Sequence, residues 1–550
     1  MSTALTARPK AALRRRDIAG LLLLIVIAAA RLFPTYTILT ATFDEPLHIA
    51  DGMEWLDTGT YTRERQHPPL ARVAFALGPY LSGIRSQSLK DTAAEGTAIL
   101  FSNGQYFQNL RLARLGNLPF LILGCVVVFL WASRWFGRET AFFATLLFSS
   151  SPPILGHAGL ATLDMAATAT VMLALYQFLR WIEQPSWTQA GLLGFALGLA
   201  FLSKFSSFFF LPVCFAAVAV ATMVRERRNL FAIWKTRTAH VGVAVIVAFV
   251  LVWGGYRFSR ETIAITRDGK PLTAAQIENP LFRAAFSVAE APLPLVDLAS
   301  GLQTVYKHNE YGHASYLLGQ YSMKGWWYFF PVVFAVKTPL GFLALAVAGL
   351  CISLFKPKRF SWQQKATAIF PVLILLICMS SRINLGVRHM LVVYPLLSIV
   401  SGHVLTACLK NSRPAIRAVA IGLAVWSVVD SVLVHPDYLA YFNQIASRHP
   451  ERILAESDLD WGQDLHRLAA RLQSLGVQEV AIRYFGTTPL DRVGLPSYRA
   501  LSPTAPTSGY IAISLHELVM SNAENGSFEW LKGYKPVEKI GHSIYLYHLP

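Results

Sequence analysis

Residues 18–33 read IAGLLLLIVIAAARLF, and residues 42–73 read TFDEPLHIADGMEWLDTGTYTRERQHPPLARV. The first stretch is almost unbroken hydrocarbon, the composition a helix needs to cross a bilayer. The second opens on adjacent carboxylates, Asp44 and Glu45, and reaches a His-Pro-Pro at 67–69. Carboxylates set just beyond a membrane span are costly unless they have a partner or a task. This junction gives the expected fold class, an all-α polytopic membrane protein with ionisable groups held at one surface.

The rest of the chain agrees with that class. Apolar residues make up 54% and charged residues 15%, and the mean hydropathy is +0.42. Soluble domains carry roughly 25% charge. Arg14, Arg15 and Arg16 resemble the basic region of a signal peptide. The apolar run after them is long, and no small-residue cleavage pattern follows before Asp44, so it reads as a retained first helix.

Eleven spans are expected, near residues 18–38, 116–135, 140–156, 160–181, 188–205, 206–224, 239–257, 328–354, 366–381, 388–409 and 415–434. Lys and Arg gather in alternate gaps: Arg134 and Arg138, Arg180, RERR at 225–228, KPKR at 356–359, then Lys410, Arg413 and Arg417. Positive loops mark the cytoplasmic side. The N-terminus is therefore expected inside and residues 435–550 outside, as in a bacterial inner-membrane protein. The net charge of +17 is then an orientation signal with affinity for anionic lipid. It is not a nucleic-acid footprint, because it is spread over short inter-helix loops. Cys125, Cys214, Cys351, Cys378 and Cys408 all fall in apolar runs and read as packing residues.

Three long segments share the outer side in this scheme: 39–115, 258–327 and 435–550. Residues 1–434 read as a transmembrane catalytic domain and 435–550 as a small α/β domain. In the latter, RILAES (452–457), VQEVAIRYF (477–485), GYIAISL (509–515) and HSIYLYHL (542–549) read as strands. GQDLHRLAARLQSL (462–475) reads as an amphipathic helix between the first two.

The plain reading of Asp44 is a helix cap over EPLHIADGMEWLD, with Pro46 in the first turn. Other charges on the same side favour a functional one. HPPLARVAFALGPYL (67–81) reads as a second interfacial helix. Asp164 lies at the mouth of the fourth span, Lys204 ends the fifth, Lys337 sits in the outer part of the eighth, and Arg388 and His389 begin the tenth. Charges in such places are functional candidates by default. Cations converging on one leaflet suit a phosphate anchored in the membrane. The bland alternatives are snorkelling for the cations and a buried ion pair for Asp164.

FDEPLHIADGMEWLDTGTYTRERQHPPLA (43–71) resembles the first extracytoplasmic loop of the protein O-mannosyltransferase family, with its Asp-Glu pair and downstream His-Pro-Pro-Leu. More broadly the chain resembles the GT-C superfamily of polyprenyl-phosphate-dependent glycosyltransferases, which includes bacterial lipid A aminoarabinose transferases. LARLGNLPFLILG (112–124), FGRETAFFATLLFSSSPPILGHAGLATLDM (136–165), GFALGLAFLSKFSSFFFLP (194–212) and VRHMLVVYPLL (387–397) fit that pattern in order. HPDYLAYFNQIA (435–446) and ESDLDWGQDLHRLA (456–469) resemble a group of bacterial family-39-like glycosyltransferases of unassigned substrate.

The resemblance implies an inverting sugar transfer from a polyprenyl-phosphate donor to a lipid, glycan or protein acceptor at the outer face. Asp44 is then the base, and Glu45 orients the acceptor or assists. Arg114 matches a family arginine near the donor phosphate, with His67, Lys204, Lys337 and Arg388 as further donor-site candidates and Asp164 orienting one of these cations. His67 stands where the aminoarabinose transferases have a different pair, which favours the mannosyltransferase-like side. The tail lacks the β-trefoil repeat of eukaryotic mannosyltransferases. A divalent ion on Glu45, His48 and His313 is the one cofactor left open, against the plainer reading that His48 faces water. A transporter or flippase of lipid-linked substrates is the alternative function. Such proteins show internal repeats, and none is visible in this sequence.

Overall fold

The computed structural model describes residues 14–226, 230–262, 266–267, 270–271 and 292–550. Six of its helices are long and apolar enough to cross a membrane: Arg15–Ile38, Tyr106–Trp135, Leu163–Glu183, Arg237–Gly255, Trp362–Met379 and Pro414–Leu433. Trp187–Ser203, Ser207–Thr222, Leu340–Phe355 and Val393–Leu409 are shorter and equally apolar. The architecture is a multi-pass helical bundle. Leu163–Glu183 lies at its centre, with 83% of its apolar window buried. Thr168 and Thr170 on that helix donate to the carbonyls of Asp164 and Ala166, and the Thr170 hydroxyl also meets Ser203 of Trp187–Ser203 at 3.1 Å.

Three expected spans differ in form. The second begins at Tyr106, because the chain only bends at Gly116 and Asn117. The third divides into Arg138–Ser149 and Pro152–Ala158. Ser151 precedes a proline and is extended (φ −70°, ψ 123°), as the proline ring requires. The eighth divides into Phe329–Lys337 and Leu340–Phe355 across Pro339. A proline break strands backbone carbonyls that hydrocarbon cannot satisfy. Asn443 closes this gap: its side chain donates to the carbonyls of Ala335 and Thr338, and its backbone N–H to Val336.

The first long loop carries three α-helices, Glu45–Met53, Pro69–Leu81 and Thr92–Phe101, before the second span begins at Tyr106. Glu45–Met53 packs so tightly on Pro69–Leu81 that a Cβ at Gly52 would lie 2.0 Å from the Arg72 carbonyl oxygen. Only glycine allows that approach, and it brings the Asp-Glu and His-Pro-Pro segments side by side.

At the C-terminal end a five-stranded sheet runs in the order Glu538–Ile540, Ile544–Leu549, Gly509–Ser514, Glu479–Arg483, Ser497–Ala500. The last three strands are parallel, and the first two add antiparallel. Alternate residues serve two cores, as strand geometry dictates. Val480, Ile482, Ala512 and Leu546 meet Leu465, Leu468 and Leu472 of helix Leu465–Ser474. Ala481, Ile511, Ile513 and Tyr547 meet Phe528 and Leu531 on the other face. RILAES is not a strand. Its residues form parts of two short 3₁₀ turns, and Glu456 takes a left-handed φ of 52°.

Residues 435–464 are threaded into the bundle rather than set apart from it. Tyr438, Phe442 and Leu459 are buried in the main transmembrane core. The Thr40 N–H donates to the Gln463 carbonyl at 2.9 Å, and the Phe43 N–H to the Trp461 carbonyl at 2.9 Å.

Candidate active site

Asp44 sits at the start of helix Glu45–Met53, yet its side chain caps nothing. Oδ2 instead accepts from Arg388 Nη1 at 2.7 Å. The Asp44 side chain is 27% exposed and that of Arg388 10%. Arg388 belongs to the 3₁₀ turn Val387–Met390, which follows Gly386 at φ 126°. A second ion pair joins Lys204, at the end of Trp187–Ser203, to Asp164, with Nζ 2.6 Å from Oδ1.

His48 and His67 tie these pairs together. Their rings are edge to face, 5.6 Å apart. The charges of Arg72, Asp44, Asp164 and Arg388 all act on His48, and those of Arg72, Lys204 and Arg388 on His67. Burial, reinforced by the Arg72 guanidinium, pushes His48 down to about 3 and His67 well below the usual imidazole range. Both rings are therefore neutral at physiological pH. Arg72 can only donate, and its Nε donates to His48 Nδ1 at 3.3 Å. The His48 proton accordingly sits on Nε2. Arg72 itself is held by Asp51, Glu64 and the Tyr61 hydroxyl.

Glu45 and Arg114 occupy a different environment. Both are fully enclosed. Arg114 Nε and Nη2 meet Glu45 Oε1 and Oε2 at 2.8 and 2.7 Å. Its remaining N–H groups donate to the carbonyls of Thr35, Tyr36, Leu39 and Thr40, at the end of the first transmembrane helix. Glu45 also accepts from the Thr42 N–H and hydroxyl and from the Ala161 N–H. Lys337 is likewise enclosed, with Nζ donating to the carbonyls of Leu439 and Asp458. Arg114 and Lys337 thus bind backbone oxygens and are closed to solvent.

The metal expectation fails on geometry. Among the described residues no group of three or more His, Cys, Asp or Glu gathers where it could hold an ion. Every Glu45 lone pair direction is met by a donor, and His313 Nδ1 pairs with His308 Nε2 at 3.0 Å. No step is routed through a metal.

Three residues at the site were not singled out from sequence. Arg72 lies in the quoted HPPLARV stretch, where an arginine facing two histidines was the available signal. Glu456 and Trp461 lie in ESDLDWG. Glu456 Oε2 is 3.9 Å from Arg388 Nη2, and the Arg388 Cζ stands 4.3 Å over the Trp461 ring centre.

Residues 107–254 match the family of dolichyl-phosphate-mannose-protein mannosyltransferases. The fold matches the archaeal oligosaccharyltransferase AglB from Archaeoglobus fulgidus, in complex with an inhibitory peptide and a dolichol-phosphate, at TM-score 0.50 and 12% identity over 95% of this chain and 72% of that one. The apo form of the same oligosaccharyltransferase matches at TM-score 0.51 and 12% identity over 94% and 72%. ArnT from Cupriavidus metallidurans, bound to undecaprenyl phosphate, aligns over 96% of this chain and 98% of that one at 14% identity and TM-score 0.49. No curated protein matches the sequence. The architecture is thus shared with the archaeal oligosaccharyltransferase, and residues 107–254 carry the likeness to the mannosyltransferase family, whose first loop residues 43–71 resemble.

Proposed function

We propose that this chain moves a sugar from a polyprenyl-phosphate donor to an acceptor at the outer face of the membrane, with inversion at the anomeric carbon. One observation carries the reading. Asp44 stands at a helix start but does not cap it, and remains part-exposed against Arg388 beside the Lys204–Asp164 pair.

Each residue then has a task. The donor phosphate enters between Arg388 and Lys204, which exchange their carboxylate partners for phosphate oxygens. Asp44, released from Arg388, takes the proton from the acceptor nucleophile. The nucleophile attacks the anomeric carbon, the sugar–phosphate bond breaks, and the electron pair leaves with polyprenyl phosphate. Arg388 and Lys204 stabilise the charge that collects on that leaving group. Neutral His48 offers a fixed Nε2–H to a sugar or phosphate oxygen. Glu45 and Arg114 shape the loop that carries Asp44. In this scheme the N-terminus is cytoplasmic and the C-terminal sheet lies outside, with a lipid, glycan or protein acceptor.

The test is release of polyprenyl phosphate from a labelled polyprenyl-phosphoryl sugar by the purified full-length protein in lipid nanodiscs. Release by wild type and its loss in Asp44→Asn support the reading. Wild-type protein that releases nothing from any mannosyl, glucosyl or aminoarabinosyl donor refutes it.

A further inference from the structure

We infer that residues 456–461 of the C-terminal region complete the phosphate site, with Trp461 and Glu456 acting as positioning residues for the Arg388 guanidinium. This rests on the function proposed above and extends it to a segment that no part of that mechanism uses.

The segment bonds to the backbone beside both partners of the Asp44–Arg388 pair. On one side the Trp461 carbonyl accepts the Phe43 N–H, so its backbone fixes the residue next to Asp44. On the other side Asp458 Oδ1 accepts the Val387 N–H at 3.0 Å, and Ser457 Oγ donates to the Leu385 carbonyl. A Cβ at Gly386 would come within 2.8 Å of the Asp458 carboxylate, so glycine lets the turn lie flat against that side chain. Lys337 Nζ holds the same segment through the Asp458 carbonyl. Trp461 is itself braced: its N–H meets Gln463 Oε1, whose Nε2 returns to the Leu459 carbonyl.

Arg388 lies between these anchors. The Trp461 face at 4.3 Å and the Glu456 carboxylate at 3.9 Å restrain it, and Nη1 alone makes a short hydrogen bond, to Asp44. Among the described residues its buried Nε has no hydrogen-bond partner, nor has Trp461 Nε1. A guanidinium stacked on an aromatic face keeps its plane fixed while its edge stays free to donate. That is what a residue passed from a carboxylate to an incoming phosphate needs: the plane stays and only the acceptor changes. Glu456 supplies a standing counter-charge, so Arg388 is not left unpaired when Asp44 lets go.

Binding of undecaprenyl phosphate to the full-length protein in nanodiscs tests this. Trp461→Leu stays apolar but removes the π face and part of the buried volume, and should weaken binding by about tenfold. Trp461→Phe keeps a weaker face and should fall between that variant and wild type. Glu456→Gln should also weaken binding while the thermal midpoint holds. The deciding measurement is the Trp461→Leu change made in the Arg388→Met background, where it should cost nothing further. An equal loss with and without Arg388 means Trp461 only packs, and overturns the inference. Binding that falls with Arg388→Met but not with Trp461→Leu overturns it as well and leaves the proposed function standing. Wild-type protein that fails to bind undecaprenyl phosphate removes the function reading and this inference together.

Discussion

Asp44 and Glu45 are neighbours in sequence, and each meets an arginine, yet their surroundings are opposite. Glu45 and Arg114 are wholly enclosed, joined by two short hydrogen bonds, and every further donor or acceptor is taken by the chain. Asp44 and Arg388 share one short hydrogen bond, Asp44 is part-exposed, and Arg388 Nε is left without a partner. A buried ion pair is worth little against an apolar replacement, but breaking one side of it is severe. An accessible pair can be exchanged for a ligand. Two adjacent carboxylates thus differ in place: one fixes the loop to the first transmembrane helix, and the other stays part-exposed.

The largest effect expected from breaking this contrast is at the sealed pair. Arg114→Ala leaves Glu45 buried without its counter-charge and should cost about 3–5 kcal/mol of stability, read as loss of folded protein on purification. Normal yield and an unchanged thermal midpoint, with only donor binding lost, would instead place Arg114 in the site. Next comes Asp44→Asn. Because the Asp44 side chain caps nothing, the variant should melt as wild type does while turnover falls by a factor on the order of 10² or more. A matching drop in thermal midpoint would show that the open pair is structural too. Arg388→Lys keeps the charge and loses the planar fork, and should weaken undecaprenyl phosphate binding by about tenfold, the loss of one charge-assisted hydrogen bond.

The smallest effect concerns Asp460, a buried carboxylate with no cation to meet it. It accepts from the Gly462 and His516 N–H groups, and burial pushes it up to about 7. Between about 4 and 7 the folded chain keeps a proton that the unfolded chain has lost, so stability falls as pH rises through that window. Asp460→Asn should flatten this slope in thermal melts taken from pH 4 to pH 8. An identical slope in the variant would assign it to another group.

Much of this was legible in the sequence, for identifiable reasons. Hydrophobic runs of membrane length have few alternatives, and the first-loop pattern placed Asp44 at a helix start. Lys337 and Arg114 show where legibility stops. Both read as cations beside a membrane surface. What each one meets depends on carbonyls freed elsewhere, by the end of the first helix and by the threading of residues 435–464, and no local pattern encodes that. RILAES failed as a strand for a similar reason. Its composition fits one, but the Glu456–Asp458 turn answers to Arg388 and Val387 rather than to a sheet. Asn443 gives no signal of its own in sequence, although Pro339 announces that some residue must fill its place.

The threading of the C-terminal segment also sets an order of manufacture. Glu45 and Arg114 are 69 residues apart and can meet while the chain is still short. Arg388 reaches Asp44 across 344 residues, and the His466 N–H reaches the Thr40 hydroxyl across 426. A ribosome delivers the chain from its N-terminus, so the framework of the first loop can be laid down early, while the contacts to Asp44 and Thr40 are completed only as synthesis nears its end. A nascent or truncated chain would carry Asp44 without its arginine or its tryptophan cover. Half-made copies in the membrane would then be inert towards lipid-linked sugars, and competence would arrive with the last segment of the chain.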